Sequence, residues 1–463
     1  MYKIDILGGG AAGLAAGYFA KKSEIPFRIY EATNATGGNC RTYKYKDFRF
    51  DSGAHRFHDK DPEITREVLS LMGDEIMEVS APSYISHNKR LVHFPITPTN
   101  LLSNLNPITS IAAIFNFLYA KFKKNEIKSF EDYAMQKYGK TISDLFLTNY
   151  SEKLWGLSTD KLSPKVAGSR LKDLNIKSIL TELLFPNQKA KHLEGSFYYP
   201  RNGFGRLMNK IASHCGDENI EVDSRVTKIF HSDNRIDSFE INNSVINRTD
   251  YLVSSLPLSV FIKSLFPAPP KEILDTVEKL KFRHLKLICF CINKPQINKA
   301  ATMYFPDRRF IFTRAYEPKN RCKTMARPEM TSLVLEIPYS FNDKVDMMDM
   351  NALTARTKSD LLKTGLINKE DIIATVVKEI PYAYPVLEKE YELHMDQLLR
   401  YLRQFKNLYL TGRNGKFVYS WTHNMMKFGK EIIDDIVIKE ACSKNVQSAS
   451  LESDPLELQL NLV

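Results

Sequence analysis

The chain opens with a short apolar run, Ile4-Asp5-Ile6-Leu7, then glycines, then Leu14-Ala15-Ala16 with Tyr18-Phe19. That order reads as a buried strand, a turn and a helix, and a second strand follows at Phe27-Arg28-Ile29-Tyr30. From about residue 95 to 190 the spacing of apolar positions becomes helical, predicting helices at 108–124, 130–138 and 142–150. Strand-like runs return at 220–229 and 251–256, and again at 284–293, 309–315 and 331–337. Helical spacing resumes at 351–365 and 388–404. The segment 407–413 reads as a buried strand ending in a glycine turn, with a helix behind it to about Cys442. No internal repeat is visible.

This alternation predicts an α/β fold. A Rossmann-type, doubly wound domain is assembled from three separated pieces, 1–90, 196–260 and 405–443. An α+β substrate domain is inserted between them, helical at 91–195 and built of a sheet with helices at 261–404. The Ser-, Asn- and acid-rich tail, 444–463, reads as disordered. A cleft between the two domains is where a ligand is expected.

The 463 residues are 43% hydrophobic, enough for large cores. The formal charge is +11, with cations scattered along the chain and no aromatic-basic block, so no nucleic-acid partner is expected. The charge suits an anionic ligand in a cleft and weak contact with an acidic membrane surface. Six scattered cysteines show no C-x-x-C pair or metal-ligand spacing, so no metal is expected, and buried thiols fit a reducing compartment. Apolar runs fall short of a membrane span, and the first strand starts at residue 4, leaving no room for a leader ahead of it. A cytoplasmic protein is the expectation. Oligomeric state is not legible.

Candidate chemistry starts at the first turn. In Gly8-Gly9-Gly10-Ala11-Ala12-Gly13, Gly8 permits a tight turn, Gly10 lets backbone approach a pyrophosphate, and Gly13 lets helix and strand pack closely. The helix N-terminus offers unpaired N–H groups to phosphates. Glu31, eighteen residues past Gly13, ends the next strand and can accept from a ribose diol, with Ala32 beside it. A second cluster, Gly37-Gly38-Asn39-Cys40-Arg41-Thr42, follows closely. Alone it is a turn with a surface charge. Just behind Glu31, it reads as a second phosphate-facing loop with Arg41 as a donor fork.

With the next stretch, Asp51-Ser52-Gly53-Ala54-His55-Arg56-Phe57-His58, the chain resembles the flavoprotein superfamily of protoporphyrinogen oxidase, the flavin amine oxidases and UDP-galactopyranose mutase. Tyr150-Ser151-Glu152-Lys153-Leu154-Trp155-Gly156 resembles a mutase segment. Ser196 to Gly205 resembles a tyrosine-proline segment of the oxidase-like proteins, and Gly412-Arg413-Asn414-Gly415 resembles the second flavin signature. The resemblance implies FAD, held by Gly8, Gly10, Ala11, Ala12, Gly13, Glu31, Ala32, Gly38, Asn39, Cys40, Arg41, Gly53, Ala54, His55, Val226, Gly412, Arg413, Thr422 and His423.

The resemblance also implies catalytic positions: His55, Arg283, Tyr384, Arg413 and Tyr419, with Arg170 near a mobile-loop arginine of the mutase. Each has a plainer reading. Arg283 is equally a strand-edge charge, Arg170 a helix-surface charge, Tyr384 a packing partner of Pro385, and Val226 a core valine. The sequence lacks H-E-x-x-H and G-x-S-x-G motifs, which leaves the chemistry to a cofactor. The leading expectation is an FAD-dependent oxidoreductase acting on a small anionic substrate, with a nucleotide sugar as first candidate. A UDP-galactopyranose mutase-like isomerase using reduced flavin and a non-catalytic flavin-binding scaffold stay open. After Arg170 the mutase-type arginine-proline run is missing, and after Tyr419 the oxidase-type continuation is replaced by Ser420-Trp421-Thr422-His423.

Overall fold

The computed structural model describes residues 2–87, 90–94, 105–123, 126–171 and 196–452. Its first sheet has five parallel strands in the order Leu408–Leu410, Tyr251–Ser254, Ile4–Leu7, Phe27–Tyr30 and Ile220–Glu221. Strands from all three separated pieces of the sequence therefore meet in one sheet. Ile4–Leu7 lies at its centre and is buried on both faces, its one charged residue, Asp5, paired with Lys3 at 2.7 Å.

Small residues let helices close on this sheet. The helix Ala11–Lys22 is buried from Ala12 to Ala20 and touches the final helix, Thr422–Glu452, through Ala15, Ala16 and Gly429. A Cβ on Gly429 would stand 2.7 Å from the backbone of Ala15 and Ala16. The last helix continues past Cys442, where the sequence pattern fades, to Glu452.

A seven-stranded sheet forms the second body, in the order Ile372–Pro385, Phe282–Ile292, Thr331–Tyr339, Arg314–Tyr316, Thr302–Tyr304, Ser83–His87 and Arg90–Phe94. Every residue of Phe282–Ile292, which is paired on both sides, is buried. The hairpin 83–94 joins this sheet through Ser83–His87, so the chain crosses between the two sheets before residue 90. A four-stranded sheet contains Val226–Ser232, so the run expected at 220–229 splits between two sheets. The strand expected at 309–315 forms only as Arg314–Tyr316.

The helical insertion has Pro107–Phe122 and Phe130–Tyr138, started by Asn106 and by a reciprocal Ser129–Asp132 cap. The helix expected at 142–150 is interrupted by a π segment, Ser143–Thr148, before Asn149–Trp155. Arg170 stands in a 3₁₀ segment, with its side chain outside the described residues. The last turn of Asn149–Trp155 carries Lys153, whose Nζ donates to the carbonyls of Phe305, Asp307 and Phe312 at 2.7–2.9 Å. That contact straps the insertion to the seven-stranded sheet.

The close crossing at Gly429 makes a direct prediction. Gly429→Ala should destabilise the protein by about 1–3 kcal/mol, because the added methyl forces two helices apart. Thermal unfolding of variant and parent checks it.

Candidate active site

The first turn is held by backbone geometry. Gly8 has a left-handed φ of 98°, and its N–H donates to the Tyr30 carbonyl at 2.8 Å. The helix behind it begins at Ala11 with no side-chain cap and no acid in its first turn, leaving its N–H groups open to the cleft. A Cβ on Gly13 would lie 1.8 Å from the Gly8 carbonyl oxygen, so Gly13 secures the turn from behind and does not line the cleft. Gly10 differs. A Cβ there would meet only Gly38 Cα, at 3.8 Å, and would occupy the cleft itself.

Glu31 is buried under this turn. One carboxylate oxygen accepts from the Gly9 N–H at 2.8 Å, the other from the Thr33 N–H and hydroxyl at 2.9 and 2.7 Å. A carboxylate has room for further donors, so a ribose hydroxyl is still accommodated. The second loop docks by the Gly37 N–H donating to the Gly9 carbonyl at 2.8 Å.

These elements enclose a cleft of about 340 Å³. Of the expected cofactor residues, Gly8, Gly10, Ala11, Ala12, Glu31, Ala32, Gly38, Asn39 and Cys40 line it, together with Gly53, Ala54, His55, Val226, Gly412, Arg413 and Thr422. Tyr384 and Tyr419, expected at the substrate, line it as well.

Arg41, His423 and Arg283 fall outside the lining. Arg41 spends its donors on its own loop, with Nε on the Thr36 carbonyl at 3.0 Å and Nη2 on Ala35 and Thr33. His423 is buried beside Trp421 in the start of the last helix. Arg283 is a correction to the expected catalytic set. It is buried, and its guanidinium bonds the Leu154 carbonyl at 3.0 Å, the Ser340 hydroxyl at 2.7 Å and Asp343 at 3.3 Å. Gly156 is there to admit it, since a Cβ would meet Nη1 at 2.6 Å. It braces the helical insertion instead of facing a ligand.

Arg314 joins Arg56 and Arg413 in the cleft lining. The buried Arg314 side chain pairs with buried Glu336, Nε to Oε2 at 2.8 Å, and Nη2 donates to the Tyr384 hydroxyl at 3.2 Å. The other oxygen of Glu336 accepts from the Ala54 N–H at 2.9 Å, tying the seven-stranded sheet to the Gly53-Ala54-His55 loop. Arg413 stands over the Tyr384 ring at 5.1 Å and makes no ion pair among the described residues. Trp155 packs edge-on against Tyr384 and Tyr419, with centroids 5.9 and 5.4 Å away.

His55 stacks near Phe204, with its Nε2 3.2 Å from the Ser52 hydroxyl. Burial, then the charges of Arg413, Arg321 and Arg314, pull its pKa down to about 3, so the ring is neutral at physiological pH. Burial pushes the Cys40 thiol up to about 11, so it is no thiolate nucleophile.

One strained residue lines the cleft. Tyr382 adopts φ 50° at an irregularity in the edge strand, with its N–H donating to His284 Nδ1. Its carbonyl accepts from Asn39 at 3.2 Å and Asn414 at 2.7 Å, joining the first and last flavin-like segments at one atom. A strained backbone so pinned is what a preorganised ligand site requires.

The cleft fits a flavin dinucleotide on three counts. Gly10 leaves a cradle that a methyl would fill, and the helix beside it is uncapped. Asn414 Oδ1 and Trp421 Nε1 are buried in the lining without a partner among the described residues. Residues 11–396 match the family of flavin-containing amine oxidoreductases. The chain belongs to that family. Its cofactor is FAD.

Among curated relatives, the chain is 23% identical over 269 residues to mitochondrial protoporphyrinogen oxidase of Nicotiana tabacum, covering 52% of this chain and 53% of that protein. It is 24% identical over 294 residues to the L-amino acid oxidase bordonein-L of Crotalus durissus terrificus, covering 58% and 54%. The matched part thus spans about half the length of these relatives. Among solved structures, reduced UDP-galactopyranose mutase matches with a TM-score of 0.84 at 19% identity, covering 94% of each chain. A putative protoporphyrinogen oxidase from Exiguobacterium sp. 255-15 matches at 0.74 and 16% identity, covering 95% of this chain and 99% of that one. At these identities the likeness is one of fold.

In this family member, sequence reading missed Arg314, Tyr382 and Trp421 as cleft residues, and Glu336 as the partner of Arg314. Arg314 and Glu336 carry a local signal, a charge inside an apolar strand, which marks a buried pair but not where it points.

Two predictions follow from the geometry. Gly10→Ala should fold normally but lose FAD affinity by at least about tenfold, because the methyl occupies the phosphate approach. Flavin absorbance and apoprotein melting, measured together, check it. The second concerns acid. The unfolded His55 titrates near 6.5 and the folded one near 3, so stability falls as pH drops through that window. His55→Gln should flatten that fall, as read from thermal midpoints across the same pH range.

Proposed function

We propose that the chain is an FAD-dependent oxidoreductase that acts on a small anionic substrate, with a nucleotide sugar as the first candidate. The observation that carries this is the convergence of Arg314 and Arg413 on Tyr384 at the cleft. Glu336 neutralises Arg314, while Arg413 has no carboxylate partner among the described residues, so its charge is left for a ligand. Bound FAD supplies a ring that can take up or release a hydride.

The chain's own groups would bind and orient. Arg413 holds an anionic group, and the Tyr384 hydroxyl, itself accepting from Arg314, points a polarised donor at the ligand. Tyr384 and Tyr419, backed by Trp155 with centroids 5.4–6.1 Å apart, form an aromatic wall that excludes water and packs against a flat or ring-shaped substrate. Neutral His55 can exchange a hydrogen bond but is too weak a base to accept a proton near neutrality. Glu31 and Glu336 are both committed to backbone and cation partners, so proton transfer by a side-chain carboxylate has little support.

A mutase-like reading is the second one, supported by the same cation pair. Two guanidiniums beside an aromatic wall suit a sugar whose diphosphate must depart. The role once expected of Arg283 would then fall to Arg314. A scaffold without turnover is the remaining alternative.

Product analysis separates them. Purified, FAD-loaded protein should lose its oxidised flavin band when an anionic substrate from a panel of nucleotide sugars and amino acids is added without oxygen. Conversion of UDP-galactose to a furanose only after prior chemical reduction would favour the mutase reading. Neither response across the panel would leave the scaffold. For whichever substrate turns over, Arg413→Met should raise KM about tenfold to a hundredfold, the scale of one charged hydrogen bond. A neutral analogue should be unaffected, and an equal loss on both would remove Arg413 from the anion site.

A further inference from the structure

The helix Pro107–Phe122 is packed inside out. Its buried side chains are small, Ser110 and Ala113, while its large apolar ones face outward. Ile108 is 82% exposed, Ile111 68%, Phe115 68%, Leu118 51%, Tyr119 55% and Phe122 89%. These positions recur at intervals of three and four, so they form one continuous stripe along about 24 Å of helix. An ordinary surface helix turns such a stripe to the core, and a contiguous exposed apolar patch of this kind marks an interaction site.

The inner face is firmly anchored. Asn116 Nδ2 donates to the Thr141 hydroxyl at 2.9 Å, and Gly139 approaches so closely that a Cβ would lie 2.6 Å from the Asn116 carbonyl carbon. Ala113 joins a small core with Ile85, Tyr138, Ile142 and Phe146. The stripe is therefore held outward by the fold.

Charge selects the partner. Between Glu78 and Glu126 the sequence contains no acidic residue, yet it carries Lys89, Arg90, Lys121, Lys123 and Lys124. Two copies meeting through this helix would leave these cations without counter-charges from the same segment. An anionic bilayer would meet both the apolar stripe and the lysines at its end, Lys121 and Lys123. Among the described residues no helix is long and apolar enough to cross a membrane, and this one has 16 residues.

We propose that the outward face of Pro107–Phe122 docks on an acidic lipid surface, lying in the interface with Phe115 and Phe122 inserted and the neighbouring lysines at the headgroups. The docking stands independently of what the cleft turns over.

The test uses the full, FAD-loaded chain and sedimentation with vesicles. Wild type should co-sediment with mixed phosphatidylglycerol–phosphatidylcholine vesicles, more weakly with phosphatidylcholine alone, and less as salt rises. Phe115→Asp with Phe122→Asp should cut binding by at least about tenfold, given the apolar area withdrawn from lipid. Retained flavin absorbance shows that this variant is folded. Lys121→Glu with Lys123→Glu keeps the stripe and should weaken binding about fivefold per cation changed. Wild type remaining in the supernatant with acidic vesicles would overturn the proposal. So would undiminished binding by the aspartate variant, or light scattering that finds a dimer which this variant dissociates while no vesicle binds.

Discussion

The close contact between Gly13 and the Gly8 carbonyl, where a single methyl would stand at 1.8 Å, fixes everything that follows. It sets the first helix directly behind the first strand and points its uncapped N-terminus into the cleft. Anion binding at that end needs no side chain, only backbone N–H groups and the helix dipole. Glu31 and the second glycine loop are then built on the same turn, through Gly9 donating to one and its carbonyl accepting from the other. Backbone therefore supplies the N–H donors at this end of the cleft.

The opposite end is assembled from pieces far apart in sequence. Asn39 and Asn414 meet on the Tyr382 carbonyl, and Glu336 reaches the Ala54 N–H from the seven-stranded sheet. Buried cations act as struts in the same way. Arg283 holds the end of the helical insertion against the loop after Thr331–Tyr339, and Lys153 collects three carbonyls from a loop near Arg314. Such groups are tolerable in an interior only when their donors are satisfied, which fixes the helical insertion on the seven-stranded sheet.

What the sequence made legible was local. Glycine spacing, the acid at the end of the second strand and the Gly412-Arg413 turn are each determined by neighbours within a few residues, and the structure puts them all on one cleft. Long-range partners left no such trace. Arg283 and Arg314 are both arginines at apolar strands, and only the fold shows that one braces a helix while the other faces the cleft. The strand Ile372–Pro385 was overlooked although its first half, Ile372 to Val377, is rich in β-branched residues. The interrupted helix near 143–148 kept a helical period throughout, so its π segment was invisible to spacing. Domain boundaries and the catalytic roles of Tyr384, Tyr419 and Arg413 rest on these placements as a reading of the cleft.

The flavin content of the purified protein tests the central claim most directly. Released by denaturation and identified by chromatography, the bound chromophore should be FAD at about one per chain, with full uptake when apoprotein is mixed with FAD. Protein that stays colourless after incubation with excess FAD, or that releases a different nucleotide, would contradict the account.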